Sequence, residues 1–288
     1  MNPNPPEIQP EALPVAQPPV PPAPVSFNTT AAVLPATVPD PLTGSVVDFA
    51  DVLMVLAVAF VGLVISNFVI GAIFVIRNGG RPPAVAALTS NVFFIIPVQL
   101  CGYAIAVASM LFLVSVRHRT NFWKGISWNA PSSSTDGAKW FGGGASLGLL
   151  SLVASNLLEP WIPKSLPINE LFRTTSAAYV LSAFGILVAP LVEELFFRGF
   201  LYPALAKVTG VATSVVLTAL GFALLHSEQL AKAWAPLMVL FVIGTVLTVV
   251  RARTQSVARC VLMHMGYNTM LFSAMFIATG GFRHMERM

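Results

Sequence analysis

Seven long apolar stretches dominate this chain, and they restrict its folding more than any other feature. They run over residues 52–76, 84–116, 140–158, 177–201, 211–226, 235–250 and 257–279. About 20 apolar residues suffice to cross a bilayer as a helix. Within hydrocarbon every backbone N–H and C=O must be satisfied internally, which leaves helices as the fitting element for stretches of this length. Only 10% of the residues are charged, against about 25% in soluble domains, and the mean hydropathy is +0.77. The sequence therefore predicts an all-α, polytopic transmembrane bundle of about seven to eight helices. The second stretch is too long for one upright helix. Pro97 in its middle and Thr89-Ser90-Asn91 near its start predict a kink, a tilt, or a part lying outside the membrane.

Residues 1–45 form a different region. They hold 13 of the 23 prolines and only three charges, Glu7, Glu11 and Asp40. Runs such as Pro18-Pro19-Val20-Pro21-Pro22 favour extended polyproline conformations and cannot build a core. This region is read as a disordered Pro-rich tail, and 46–288 as the transmembrane domain. The tail has neither the basic start nor the apolar segment of a secretion signal.

The net charge of +4 fits loops beside lipid headgroups and does not call for nucleic acid. Cys101 and Cys260 lie far apart in apolar surroundings, with no CxxC spacing and no disulfide framework. With seven spans, Lys and Arg divide almost evenly between the two sides, so the positive-inside rule assigns no orientation. No internal repeat of the kind that marks many transporters is visible.

Within the apolar stretches a few polar residues stand out. Glu193-Glu194-Leu-Phe-Phe-Arg198 follows a run, 177–192, that has no charged residue. Each charge near a bilayer centre costs about 2.5–3.5 kcal/mol on insertion scales, so such residues face protein or a watery cavity. Glu194 and Arg198 are four apart and share a helix face. Glu193 lies about 100° around the helix from Glu194. The spacing predicts that Arg198 holds one glutamate and leaves the other free. The competing reading is a structural ion network.

His226, which closes Phe222-Ala-Leu-Leu-His226, and His264, which opens His264-Met-Gly-Tyr-Asn268, add two imidazoles and an amide. Taken singly, each also fits a satisfied helix-end residue or an interhelical hydrogen bond. Taken together with the glutamates, they predict a polar pocket in an apolar wall. Gly244 and Thr248 form a small-xxx-small face, read as helix packing.

Several hydrolytic chemistries are unsupported. The aspartates are Asp40, Asp48, Asp51 and Asp136, which leaves no aspartyl pair. Neither His226 nor His264 begins HExxH. Gly144-Ala-Ser146-Leu-Gly148 matches GxSxG, but that motif needs a strand-to-helix turn, and here it lies in a glycine-rich apolar span. A glutamate base with histidine and amide partners remains.

EExxxR, FxxxH and HxxxN, in this order and in separate spans, resemble the CPBP group of membrane proteins. This group comprises the type II CAAX prenyl endopeptidases and the bacterial abortive-infection and bacteriocin-processing proteins. The resemblance covers about residues 140–280. Phe241-x-x-Gly244 and Arg253-Thr254-x-Ser256 also fit, although Thr248 stands where a second glycine is usual. The resemblance implies an intramembrane endopeptidase in which Glu193 activates water and His226 helps to hold it. It makes His264 and Asn268 the oxyanion site, with Glu194 and Arg198 in support. It implies no required cofactor and no metal. The implied partners are a membrane-associated peptide, such as a prenylated CAAX-like tail, and the lipid bilayer, in a multi-pass protein of a bacterial cell membrane. Two other functions also fit these residues: a non-catalytic immunity or binding scaffold, and a proton-relaying transporter.

Overall fold

A computed structural model of the chain describes Met1, Asp40 and residues 42–284. Most of the proline-rich tail lies outside the described residues. Among those described, the fold is all-helical, with seven long helices at the places the apolar stretches predict. They are α1 (Phe49–Arg77), α2 (Val92–Arg117), α3 (Ser134–Leu157), α4 (Thr175–Thr209), α5 (Val211–Leu225), α6 (Trp234–Thr254) and α7 (Val257–Ala278). Five of them, α1, α2, α4, α6 and α7, are long and apolar enough to cross a membrane. α5 is apolar but has 15 residues, about 22 Å of rise, less than the ~30 Å hydrocarbon core. α3 has 24 residues diluted by glycine and serine.

The overlong second stretch is broken rather than merely tilted. A short helix, Val85–Thr89, ends first. Asn91 then caps α2 by accepting the Phe93 N–H on its side chain. Such an Asn cap satisfies one of the orphan donors of a helix start.

Three residues at the edge of the expected tail are already packed. Thr43, Ser45 and Val46 are buried. The Ser45 hydroxyl donates to the Gly125 carbonyl. Just beyond, Asp48 and Asp51 form a reciprocal capping box at the start of α1. Arg117 and His118 at the end of α2 bind the Asp51 carboxylate. Burial works against the Asp48 charge. The Asp51 N–H and the Arg117 guanidinium outweigh it and hold the Asp48 carboxyl below the usual carboxylate range.

α3 and α7 approach through glycine. A Cβ on Gly144 would lie 1.8 Å from the Met263 carbonyl oxygen, and one on Gly266 would lie 2.0 Å from that of Phe141. Ser146 donates to Gly142 within its own helix, so the GxSxG string serves packing, as expected.

α4 is the unusual element. It runs for 35 residues, about 52 Å, and contains two π-helical turns, Phe184–Val188 and Phe197–Leu201. Each π turn precedes a proline, Pro190 and Pro203 respectively. In the first, the Ala189 N–H goes back five residues to the Phe184 carbonyl. Pro190 has no N–H to give, so the Gly185 carbonyl loses its donor. In the second, the Tyr202 N–H goes to the Phe197 carbonyl, and Pro203 likewise leaves the Arg198 carbonyl without one.

Neighbouring helices supply the missing donors. Asn268 of α7 donates from Nδ2 to the Gly185 carbonyl at 2.6 Å. Arg251 of α6 donates from Nε to the Arg198 carbonyl at 3.0 Å, and from Nη2 to the Thr43 carbonyl at 3.0 Å. Arg251 is 0% exposed. Leaving a buried carbonyl unsatisfied costs about 1–3 kcal/mol. Arg251→Met should therefore lower stability by about 2–4 kcal/mol, read as a lower unfolding temperature of the detergent-purified protein. Gly266→Leu, which would drive a side chain into the α3 backbone, should be at least as damaging in the same measurement.

Candidate active site

Four of the seven helices bring the polar residues together. Glu193, Glu194 and Arg198 come from α4, between and within its π turns. His226 is the residue at which α5 ends. Gly244 comes from α6, and His264 and Asn268 come from α7.

Glu194 and Arg198 are both 0% exposed. Arg198 Nη1 donates to Glu194 Oε1 at 2.7 Å. Its Nη2 donates to the Gly244 carbonyl at 2.9 Å, and its guanidinium carbon lies 4.9 Å from the centre of the Phe222 ring. The pairing inferred from the i, i+4 spacing is therefore present. Gly244 does more than the packing assigned to it. A Cβ there would crowd Ala219 and Phe222 at 3.2 Å, and its carbonyl anchors the arginine.

His264 lies between the two glutamates. Its Nδ1 is 2.8 Å from Glu194 Oε1, and its Nε2 is 4.0 Å from Glu193 Oε2. The first is a hydrogen bond. The second is too long for one. Because the Glu194 carboxylate accepts, Nδ1 carries a proton, and Nε2 is the nitrogen turned toward Glu193. Glu194 thus fixes both Arg198 and the imidazole. Glu193 keeps a partly open side chain, 14% exposed. Tyr103 of α2 donates its hydroxyl to Glu193 Oε1 at 3.3 Å.

His226 Nδ1 lies 2.8 Å from the Phe222 carbonyl one turn back. A carbonyl only accepts, so this nitrogen is protonated and Nε2 carries the lone pair. The His226 ring is 4.9 Å from that of Phe222, which in turn is 5.7 Å from His264. Phe222, singled out in the sequence only as the start of a motif, is the apolar hub that touches both imidazoles and Arg198. Asn268 sits at the edge of the group with Nδ2 committed to Gly185. The structure thus brings Glu193, Glu194, Arg198 and His264 into direct or near contact. His226 adjoins them across Phe222, and Asn268 is tied to the first π turn.

Sequence reasoning missed Tyr103 and Arg251. Tyr103 lies in the front half of the chain, where no motif points to it. Arg251 sits two residues before the Arg253-Thr254 pair, and its signal is a cation within an apolar helix. Among the described residues, the acidic and histidine groups close enough to share a cation are Asp48, Asp51 and His118, at the α1–α2 end. The Asp51 carboxylate there is already bound by Arg117 and His118.

A buried carboxylate–imidazole cluster set among apolar helices is compatible with hydrolysis inside a membrane. Residues 175–270 match the family described as Type II CAAX prenyl endopeptidase Rce1-like. The match spans α4 to most of α7 and contains every polar residue predicted for the site. This segment is Rce1-like, and with the five apolar helices it supports an integral membrane endopeptidase of the CAAX type. No curated protein and no solved structure matched the chain.

The geometry separates the two glutamates by the consequence of their loss. Glu194→Leu would strand Arg198 without its carboxylate. Removing one partner of a buried pair costs about 3–5 kcal/mol. Glu193→Gln breaks no short ionic contact and should leave the unfolding temperature within a few degrees of the parent. Thermal unfolding of the two purified variants checks this contrast.

Proposed function

We propose that the protein hydrolyses a peptide bond of a membrane-associated substrate with Glu193 as the general base. The carrying observation is the 4.0 Å gap between Glu193 Oε2 and His264 Nε2, beside a Glu194–Arg198 pair already closed on itself. A carboxylate and a ring nitrogen at this separation suit a water on the first and a carbonyl on the second, held side by side over the pair.

The steps follow from these groups. Glu193 takes a proton from water, and the water oxygen attacks the scissile carbonyl carbon. The carbonyl oxygen becomes an oxyanion. His264, protonated on both nitrogens, donates from Nε2 to that oxygen while Glu194 holds Nδ1. Two carboxylates, Arg198 and an imidazolium then leave the pocket electrically balanced. Glu193 returns its proton to the departing amine as the C–N bond breaks. His226, with its Nε2 lone pair free to accept, helps to orient the water. The remaining amide hydrogen of Asn268 is a second donor for the oxyanion side. No step draws on a metal.

The family description supports a prenylated CAAX-like tail as the substrate, with an isoprenoid that partitions into the bilayer and a peptide that reaches the site. The setting is a multi-pass protein of a bacterial cell membrane. Glu193→Gln should lower peptide cleavage by about 10²–10⁴-fold, measured by mass spectrometry of a farnesylated CAAX peptide incubated with the protein in liposomes. Cleavage at the parent rate would instead favour a scaffold that retains the fold without the chemistry.

A further inference from the structure

The matched domain begins at residue 175, yet one contact to Glu193 comes from outside it. Tyr103 is on α2, and its hydroxyl is 3.3 Å from Glu193 Oε1. Its ring stacks on Phe184 of α4, with centroids 5.8 Å apart and planes 15° from parallel. Phe184 opens the first π turn of α4, so the same turn that displaces the helix ladder also seats the tyrosine. The phenol donates to the carboxylate, and that bond ends on Oε1.

We infer that Tyr103 is a positioning residue for the reaction. It fixes the rotamer of Glu193 through Oε1, so that Oε2 is the oxygen presented to water opposite His264. The assignment rests on Glu193 being the base. Without the hydroxyl, the carboxylate is free to rotate, and one donor that favours its charged form is gone. The polar groups near Glu193 come from four helices. Tyr103 approaches from α2 and His264 from α7, while Glu194 and Arg198 on its own helix are closed on each other. His226 on α5 has its Nδ1 committed to Phe222.

The test uses the full chain in liposomes with a quenched farnesylated CAAX peptide. Tyr103→Phe keeps the stacking ring and removes only the hydroxyl. It should lower kcat about tenfold with KM changed less than about twofold. The acidic limb of the rate–pH profile should move up by about one unit. A merely structural tyrosine would instead lower the folded yield or alter KM, and would leave that limb in place. Infrared titration gives a second reading that needs no substrate. The Glu193 carboxyl band, assigned by its loss in Glu193→Gln, should protonate at higher pH in Tyr103→Phe. Phe184→Leu, which removes the ring that Tyr103 stacks on, should shift it in the same direction by less, and it serves as the test variant if Tyr103→Phe does not fold. An unmoved band and an unchanged kcat overturn the inference. Parent-rate cleavage by Glu193→Gln overturns the catalytic reading instead, while the infrared shift still reports on the tyrosine contact.

Discussion

One carboxylate oxygen organises the centre of this bundle. Glu194 Oε1 accepts from Arg198 and from His264 at once, in a place with no exposure to solvent. In such surroundings an unpaired charge is expensive, whereas a closed pair with further hydrogen bonds can offset its desolvation. The closure reaches three helices: α4 supplies the pair, α6 gives the Gly244 carbonyl, and α7 brings the imidazole. With those positions set, the neighbouring glutamate is the carboxylate left over. Its freedom follows from its neighbour's commitment, since helical geometry turns the two side chains about 100° apart.

The apolar surroundings of the site act with the charges. Phe222 touches both histidine rings and lies under Arg198, so it spaces the polar groups and limits the water among them. Ionic contacts strengthen where water is excluded. The same ring packs so close to Gly244 that a Cβ there would press on it at 3.2 Å. A glycine, an aromatic ring and a guanidinium are therefore one packing unit, although they lie on three different helices.

Much of this was legible in the sequence because apolar length and i, i+4 spacing are local properties. The seven helices, the Glu194–Arg198 pair and the packing role of Gly144-Ala-Ser146-Leu-Gly148 follow from residues near one another in the chain. The π turns were not legible, since they change the hydrogen-bond register without altering the hydrophobic pattern. Tyr103 was hidden for a different reason: its partner is 90 residues away, and a tyrosine in an apolar helix has many uses. Arg251 was hidden in the same way, because its acceptors are backbone carbonyls, which leave no mark on side-chain spacing. Asn268 was read from its distance to His264 on one helix face. The carbonyl that occupies its amide belongs to a turn that the sequence did not reveal.

Each π turn of α4 has a further meaning. A turn of this kind holds one residue more than the α-helix around it, so the helix beyond it is rotated by about 100° relative to an unbroken rod. Glu193 and Glu194 lie between two such rotations. The angular setting of the glutamate segment is thus separated from both ends of the helix and is held by cross-links from α6 and α7.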